Sequence, residues 1–197
     1  MTLRMTPSSS QTYTQILKST MLMGGSSLVN VALSIIRNKA MAVLLGPEGV
    51  GLMGLYGSIL DIAQAVAGLG VGSSGVRQIA EAAGTDDAER IARSATVLRR
   101  ISLVLGLLGA LLLAALAFPV SNFTFGDYQH AGGIALLSLA IFFRLVSAGQ
   151  TALIQGLRGI ADLARINVYA GLLGTAISIP LIYLFGLQAI APSLVVI

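Results

Sequence analysis

ISLVLGLLGALLLAALAFPV, residues 101–120, runs for twenty residues without a charge. A helix of that length rises about 30 Å, the depth of a bilayer's hydrocarbon core. Helices satisfy their own backbone in lipid, so the stretch reads as a membrane span. Windows of the same kind occupy residues 18–36, 50–71, 132–154 and 168–187, and another opens at 189 and reaches the last residue, 197. The chain is 55% hydrophobic and 10% charged. A soluble domain carries about 25% charge, so no separate soluble domain fits. The expectation is an all-α integral membrane protein with a polar tail, 1–17, and one helical bundle, 18–197. The tail makes a poor signal peptide, because the apolar stretch after it is too long and no cleavage site follows.

The formal net charge is +4. Nucleic acid is one reading of that sign; basic loops that set orientation are the plainer one, and no nucleic-acid partner is expected. Of the twelve Lys and Arg, nine lie in the N-terminal tail and the even-numbered loops, two in odd-numbered loops and one inside the fourth span. The positive-inside rule then puts the N-terminus in the cytoplasm and the loop with Asn122, Asp127 and His130 outside. His130 reads as an ordinary exposed residue. With no Trp, interfacial anchoring falls to Tyr56, Phe118, Phe123, Phe125, Tyr128, Tyr183 and Phe185, all near expected span ends. Between the second and third spans, Asp86 with Glu89 resembles a helix start, and Arg90, Arg93 and Arg100 follow. A solvated basic loop is the preferred reading there; a surface helix is the alternative.

Polar stripes inside the spans carry the functional signal. At 100° per residue, Ser19, Ser26, Asn30, Ser34 and Arg37 share one face of the first span. Asp61 shares a face with Gly54, Gly57, Gly68 and Gly72, with Gln64 beside them. Arg144, Ser147, Thr151 and Gln155 line up on the fourth span, and Asn167, Gly171, Gly174 and Ser178 on the fifth. Small residues of this kind commonly serve close helix packing. Asp61 and Arg144 differ, since a charge at bilayer depth costs at least ~2.5 kcal/mol. Two readings stay open: a structural Asp61–Arg144 lock, or solvated groups facing a substrate. Arg37, Lys39, Arg77 and Arg144 outnumber Asp61, which favours an anion such as a phosphate or diphosphate. Charge and depth make Arg37, Asp61, Arg77 and Arg144 the candidate substrate-binding residues. Arg158, at a cytoplasmic helix end, is the gating candidate.

No Cys is present and His130 is the single His, so no metal or cofactor site is expected. Gly68-Leu69-Gly70-Val71-Gly72 ends a span and follows no Rossmann strand, so it reads as a kink.

From Leu45-Gly46-Pro47-Glu48-Gly49-Val50-Gly51-Leu52 onward the chain resembles the O-antigen translocases, the Wzx-type polysaccharide flippases of the MOP (MATE-like) superfamily. The likeness continues through Ala67–Arg77 to Ala80-Glu81, and returns at Phe125-Gly126-Asp127-Tyr128 and at Ala152–Asp162. It implies the N-terminal six-helix lobe of a two-lobed flippase, truncated in helix 6, in a bacterial inner membrane. It further implies alternating-access movement of an undecaprenyl-diphosphate-linked oligosaccharide from the cytoplasmic to the periplasmic leaflet. Its partners would be that lipid-linked substrate and membrane lipids, with polysaccharide-assembly proteins left open. An end inside an apolar run suggests a fragment or a truncated reading frame; a half-transporter working as a dimer is the lesser alternative. Three competitors remain: a multidrug or cation antiporter of the same superfamily, a membrane enzyme of glycan assembly, and a non-transporting scaffold or remnant.

Overall fold

The computed structural model describes the backbone of residues 9–85 and 87–196, with side chains from Met21 onward, Leu22 excepted. Residues 1–8 including Arg4, the side chains of Lys18 and Ser19, Asp86, and Ile197 lie outside the described residues. Among the described residues the elements are helices α1 (Ser9–Gly68), α2 (Val71–Ala83), α3 (Ala88–Ala115), α4 (Ala117–Phe125), α5 (Ala131–Gly156), α6 (Ile160–Phe185) and α7 (Ile190–Val196), with a 3-10 turn at Gly186–Ala189. No strand occurs among the described residues. Four helical stretches are long and apolar enough to cross a membrane: Met23–Gly68, Ala88–Ala115, Ala131–Gly156 and Ile160–Val196. This is an all-α, multi-pass membrane protein.

The helices outrun the apolar windows. Residues 9–17, read as polar tail, are helical from Ser9 on. The expected gap at 37–49 is also helix, except at Gly46. Arg37 to Leu45 is rich in Ala, Met and Leu, good helix formers that hydropathy scores as interrupted. At 1.5 Å per residue the 46 residues of Met23–Gly68 would extend about 69 Å, more than twice a bilayer core. Gly46 divides this length, at φ 68° and ψ −173°, a backbone region almost reserved for glycine. Pro47 then opens the second arm at a first-turn position that needs no N–H donor.

The third window breaks too. Pro119 has no N–H for the Ala115 carbonyl, and α3 gives way to α4 at Leu116. Gly126, at φ 77°, closes α4 with its N–H on the Asn122 carbonyl.

The basic segment between spans is two helices, not a solvated loop. Asp87 caps α3, its carboxylate accepting from the N–H groups of Glu89 (2.9 Å) and Arg90 (3.3 Å), so the helix start falls there. Arg90, Arg93 and Arg100 are on α3, which continues as one rod into the third span.

α5 is the hub. Its buried residues Ile134, Leu137, Ile141, Leu145, Gly149, Ala152 and Gly156 recur every three or four positions and make one continuous face. Tyr56, Ile59 and Leu60 of the second arm, Leu113 of α3, and Ile190 and Leu194 of α7 complete the main core around it. α3 lies close against α5 because both are small at the seam. Ser102 fills the space beside Gly149, Gly106 lies against Phe142, and Gly109 against Ile141, in antiparallel order. On the other side Asn30 fills the space at Gly171, while Met41 shares a buried cluster with Ile182. The first arm and α6 therefore run in the same direction. The Gly171, Gly174 and Ser178 stripe is packing surface, with Gly174 and Ser178 buried.

Tyr56 does not act as an interfacial anchor. It is 4% exposed, and its hydroxyl pairs with His130 Nδ1 at 3.3 Å. His130 is half-buried, with its ring 4.1 Å from the Phe125 ring, instead of standing free in a loop. Phe118, Phe123, Tyr128, Tyr183 and Phe185 are exposed, as anchors would be.

Candidate functional site

Asp61 stands on the second arm of α1, two turns before the helix ends at Gly68. Arg144 stands on α5, the adjoining helix. Arg144 Nη1 donates to Asp61 Oδ1 at 3.0 Å and to Gln64 Oε1 at 3.4 Å. Gln64 is one turn from Asp61, so both side chains leave the same face. The Arg144 side chain is 32% exposed and that of Asp61 77%. The contact is the Asp61–Arg144 lock of the first reading, and the carboxylate within it is largely exposed.

The opening beside them is a cavity of about 460 Å³. Its walls come from the end of the second arm, the kink, and facing residues of α3 and α5. Asp61, Gln64, Ser73 and Ser102 supply the polar groups, and Leu105 and Leu145 the apolar ones. The volume falls within the range of small-molecule sites. Its shape follows from the glycines of the kink. α1 stops at Gly68, Leu69 and Gly70 take φ of 43° and 73°, and α2 restarts at Val71. The Gly-rich stretch is thus a kink, as its position at a span end suggested, and its backbone is cavity wall.

The other candidate residues are placed apart from this pair. Arg37 is half-buried on the first arm, and its Nε is buried without a hydrogen-bond partner. Arg77 is exposed on α2, with Nε 2.9 Å from Glu81 Oε1. It lines a second opening of about 530 Å³ with Ser73, Ser74, Gln78 and Glu81. Ser73 is common to both openings. Arg158 is exposed in the link between α5 and α6, at φ 59°. Its N–H bonds the Gln155 carbonyl and that of Gly159 the Ile154 carbonyl, both at 2.9 Å. This is a Schellman end with arginine where glycine is usual. The serines of the first-span stripe, Ser26 and Ser34, donate to carbonyls of their own helix, Met23 and Val31.

Sequence reasoning did not anticipate the part α2 plays. Val71, Gly75, Ile79 and Ala82 recur at helical spacing, the signal that marks it, but the run Gly72-Ser73-Ser74-Gly75 reads locally as loop. Nor was the joint role of Ser102 and the kink legible, because residues thirty apart meet there only once α3 has packed on α5.

Comparison with known proteins adds three findings. The family described as polysaccharide biosynthesis protein matches residues 40–197. The Lipid III flippase of Escherichia coli (strain K12) is 25% identical over 157 residues, 80% of this chain and 37% of that protein. The Lipid III flippase of Shigella flexneri matches with the same identity and coverage. The chain thus spans well under half the length of these curated relatives. No solved structure matches significantly.

Proposed function

The chain belongs to the polysaccharide biosynthesis protein family, and from that premise we propose that it serves the transfer of a lipid-linked oligosaccharide across the membrane. The resemblance to polysaccharide flippases of the MOP superfamily read from Leu45–Leu52 and Ala67–Arg77 holds in this match. The cargo in this reading is an undecaprenyl-diphosphate-linked repeat unit of O-antigen or a related surface polysaccharide. It passes from the cytoplasmic to the periplasmic leaflet of a bacterial inner membrane by alternating access, with the protein's N-terminus in the cytoplasm. The chain acts as a transporter, not an enzyme, and contributes the N-terminal six-helix lobe. Arg37, Asp61, Arg77 and Arg144 meet the charged head of the cargo, and Arg158 belongs to the cytoplasmic gate.

The observation that carries the reading is the Asp61–Gln64–Arg144 knot, whose Asp61 and Gln64 line the cavity. A guanidinium held by two acceptors on a helix face, with its carboxylate partner open, is a costly thing to place in a membrane bundle without use. The surplus of Arg37, Lys39, Arg77 and Arg144 over Asp61 in and beside the spans suits a diphosphate and opposes a cationic drug.

The test is cellular. In cells whose own copy carries Arg144→Ala, surface polysaccharide should fall and the lipid-linked precursor should accumulate. Unchanged surface polysaccharide, together with lowered tolerance of cationic drugs, would overturn the reading in favour of an antiporter.

A further inference from the structure

The α3–α5 seam has two flanks. Around α3, Leu105 and Arg99 stand about 60° to either side of Ser102, which packs on Gly149. On the Leu105 flank lies the cavity that Asp61 lines. On the Arg99 flank a separate groove of about 220 Å³ runs between Ala95, Thr96 and Arg99 of α3 and Val146, Gln150 and Leu153 of α5.

The second groove sits where a bilayer changes character. Ser102 lies against Gly149 in antiparallel order, so Gln150 is level with Ile101, the first residue of the uncharged stretch 101–120. Arg99 stands just outside that stretch. From Arg99 a row of side chains at every fourth position continues as Leu103, Leu107 and Leu111, and all three leucines are exposed. A cation therefore heads an exposed apolar row that begins at the border of the hydrocarbon and runs into it, as a phospholipid places its phosphate above its chains.

The groups in the groove fix the sign of the ligand. Thr96 Oγ1 donates to the Ala92 carbonyl at 2.8 Å, which leaves Arg99 and Gln150 as the side-chain donors. The one acid on α3, Glu89, is held by Arg93 at 3.2 Å, and among the described residues no carboxylate stands within ion-pair distance of Arg99. A guanidinium fork with a carboxamide beside it suits a phosphate oxygen pair. Arg90, Arg93 and Arg100 on the same end of α3 add positive potential, which opposes an ammonium headgroup and favours a lipid of net negative charge.

We propose that Arg99 and Gln150 bind the phosphate of an anionic phospholipid whose chain lies along Leu103, Leu107 and Leu111. The occupant is a lipid of the surrounding bilayer, and the site is independent of the cargo and of Arg144.

The 197-residue chain in maltoside micelles is offered dioleoylphosphatidylglycerol and dioleoylphosphatidylethanolamine in equal amounts, and bound lipids are counted by native mass spectrometry. The wild type should retain the phosphatidylglycerol over the phosphatidylethanolamine. Arg99→Gln should lower that preference roughly fivefold or more, the worth of one basic residue at an anionic surface. Gln150→Leu, which keeps the helix and removes the carboxamide, should weaken retention of both lipids. Arg93→Gln, outside the groove, should change the preference by less than about twofold, because its charge is already met by Glu89. Helicity by circular dichroism verifies the fold of each variant. Equal loss in Arg93→Gln and Arg99→Gln would report a diffuse attraction to the basic helix and overturn the site. An undiminished preference in folded Arg99→Gln, or none in the wild type, would overturn it as well.

Discussion

Gly149→Ala should destabilise the protein, and the sign of its effect should reverse when Ser102 is shortened. A Cβ at position 149 would overlap Ser102 Oγ and stand 2.7 Å from Ser102 Cβ. Carbon atoms rest roughly 3.5–4.0 Å apart, so α3 and α5 would have to separate by about 1 Å. The hydroxyl can rotate away, but the Cβ is fixed to the α3 backbone. Overpacking of this kind costs about 1–3 kcal/mol. Alanine returns up to about 1 kcal/mol through its better helix propensity. The net loss is therefore up to about 2 kcal/mol. In a Ser102→Gly background the clash is gone and only the propensity gain remains, so Gly149→Ala should stabilise by a few tenths to about 1 kcal/mol. The assay is dodecyl sulfate titration of the protein in mixed micelles, with helicity followed by circular dichroism for all four members of the cycle. An effect of the same sign and size in both backgrounds would refute the seam as the origin of the cost.

Three further outcomes follow from particular residues. Gly46→Ala forces a side chain into φ 68°, ψ −173°, next to a proline that restricts it further, and should cost about 1–3 kcal/mol in the same titration; a neutral result would show that the arms can meet with another backbone geometry. Asp87→Ala removes the cap of α3 and should cost about 1 kcal/mol, with faster amide exchange confined to residues 88–91; unchanged exchange there would contradict the cap. Arg158→Gly relieves a left-handed arginine and should stabilise the α5 end by about 1 kcal/mol, whereas a loss of stability would reveal a contact of the guanidinium that holds the link together.

The apolar windows located the helices but not their ends. Residues 132–154 and 168–187 fall almost wholly on α5 and α6, because there hydropathy and helicity coincide. At 37–45 they part, and Arg37 and Lys39 conceal a helix that runs on through Leu45. At 101–120 hydropathy passes straight through Pro119, while the backbone cannot. The Asp61–Arg144 contact was legible as an alternative, since an acid and a base inside apolar spans have few other ways to lower their cost. The Tyr56–His130 pair was not legible. His130 follows a turn built by Asp127, whose backbone carbonyl accepts from Ser121 Oγ and whose carboxylate accepts from Gln129 N–H, and only that turn swings the imidazole onto the core. α2 was hidden for a related reason, as glycine and serine at its start carry loop propensity while its buried face depends on α3 and α5.

The most direct test of the central claim, that the charged knot serves an anionic lipid-linked cargo, is a competition. Undecaprenyl diphosphate bearing a short oligosaccharide is offered with tetraphenylphosphonium, an organic cation, to wild-type and Arg144→Gln protein in maltoside micelles, and bound species are resolved by native mass spectrometry. The account predicts that the wild type retains the lipid diphosphate over the cation and that Arg144→Gln loses this preference by tenfold or more, as the loss of a charged donor implies. Retention of the cation over the lipid diphosphate by the wild type would contradict it.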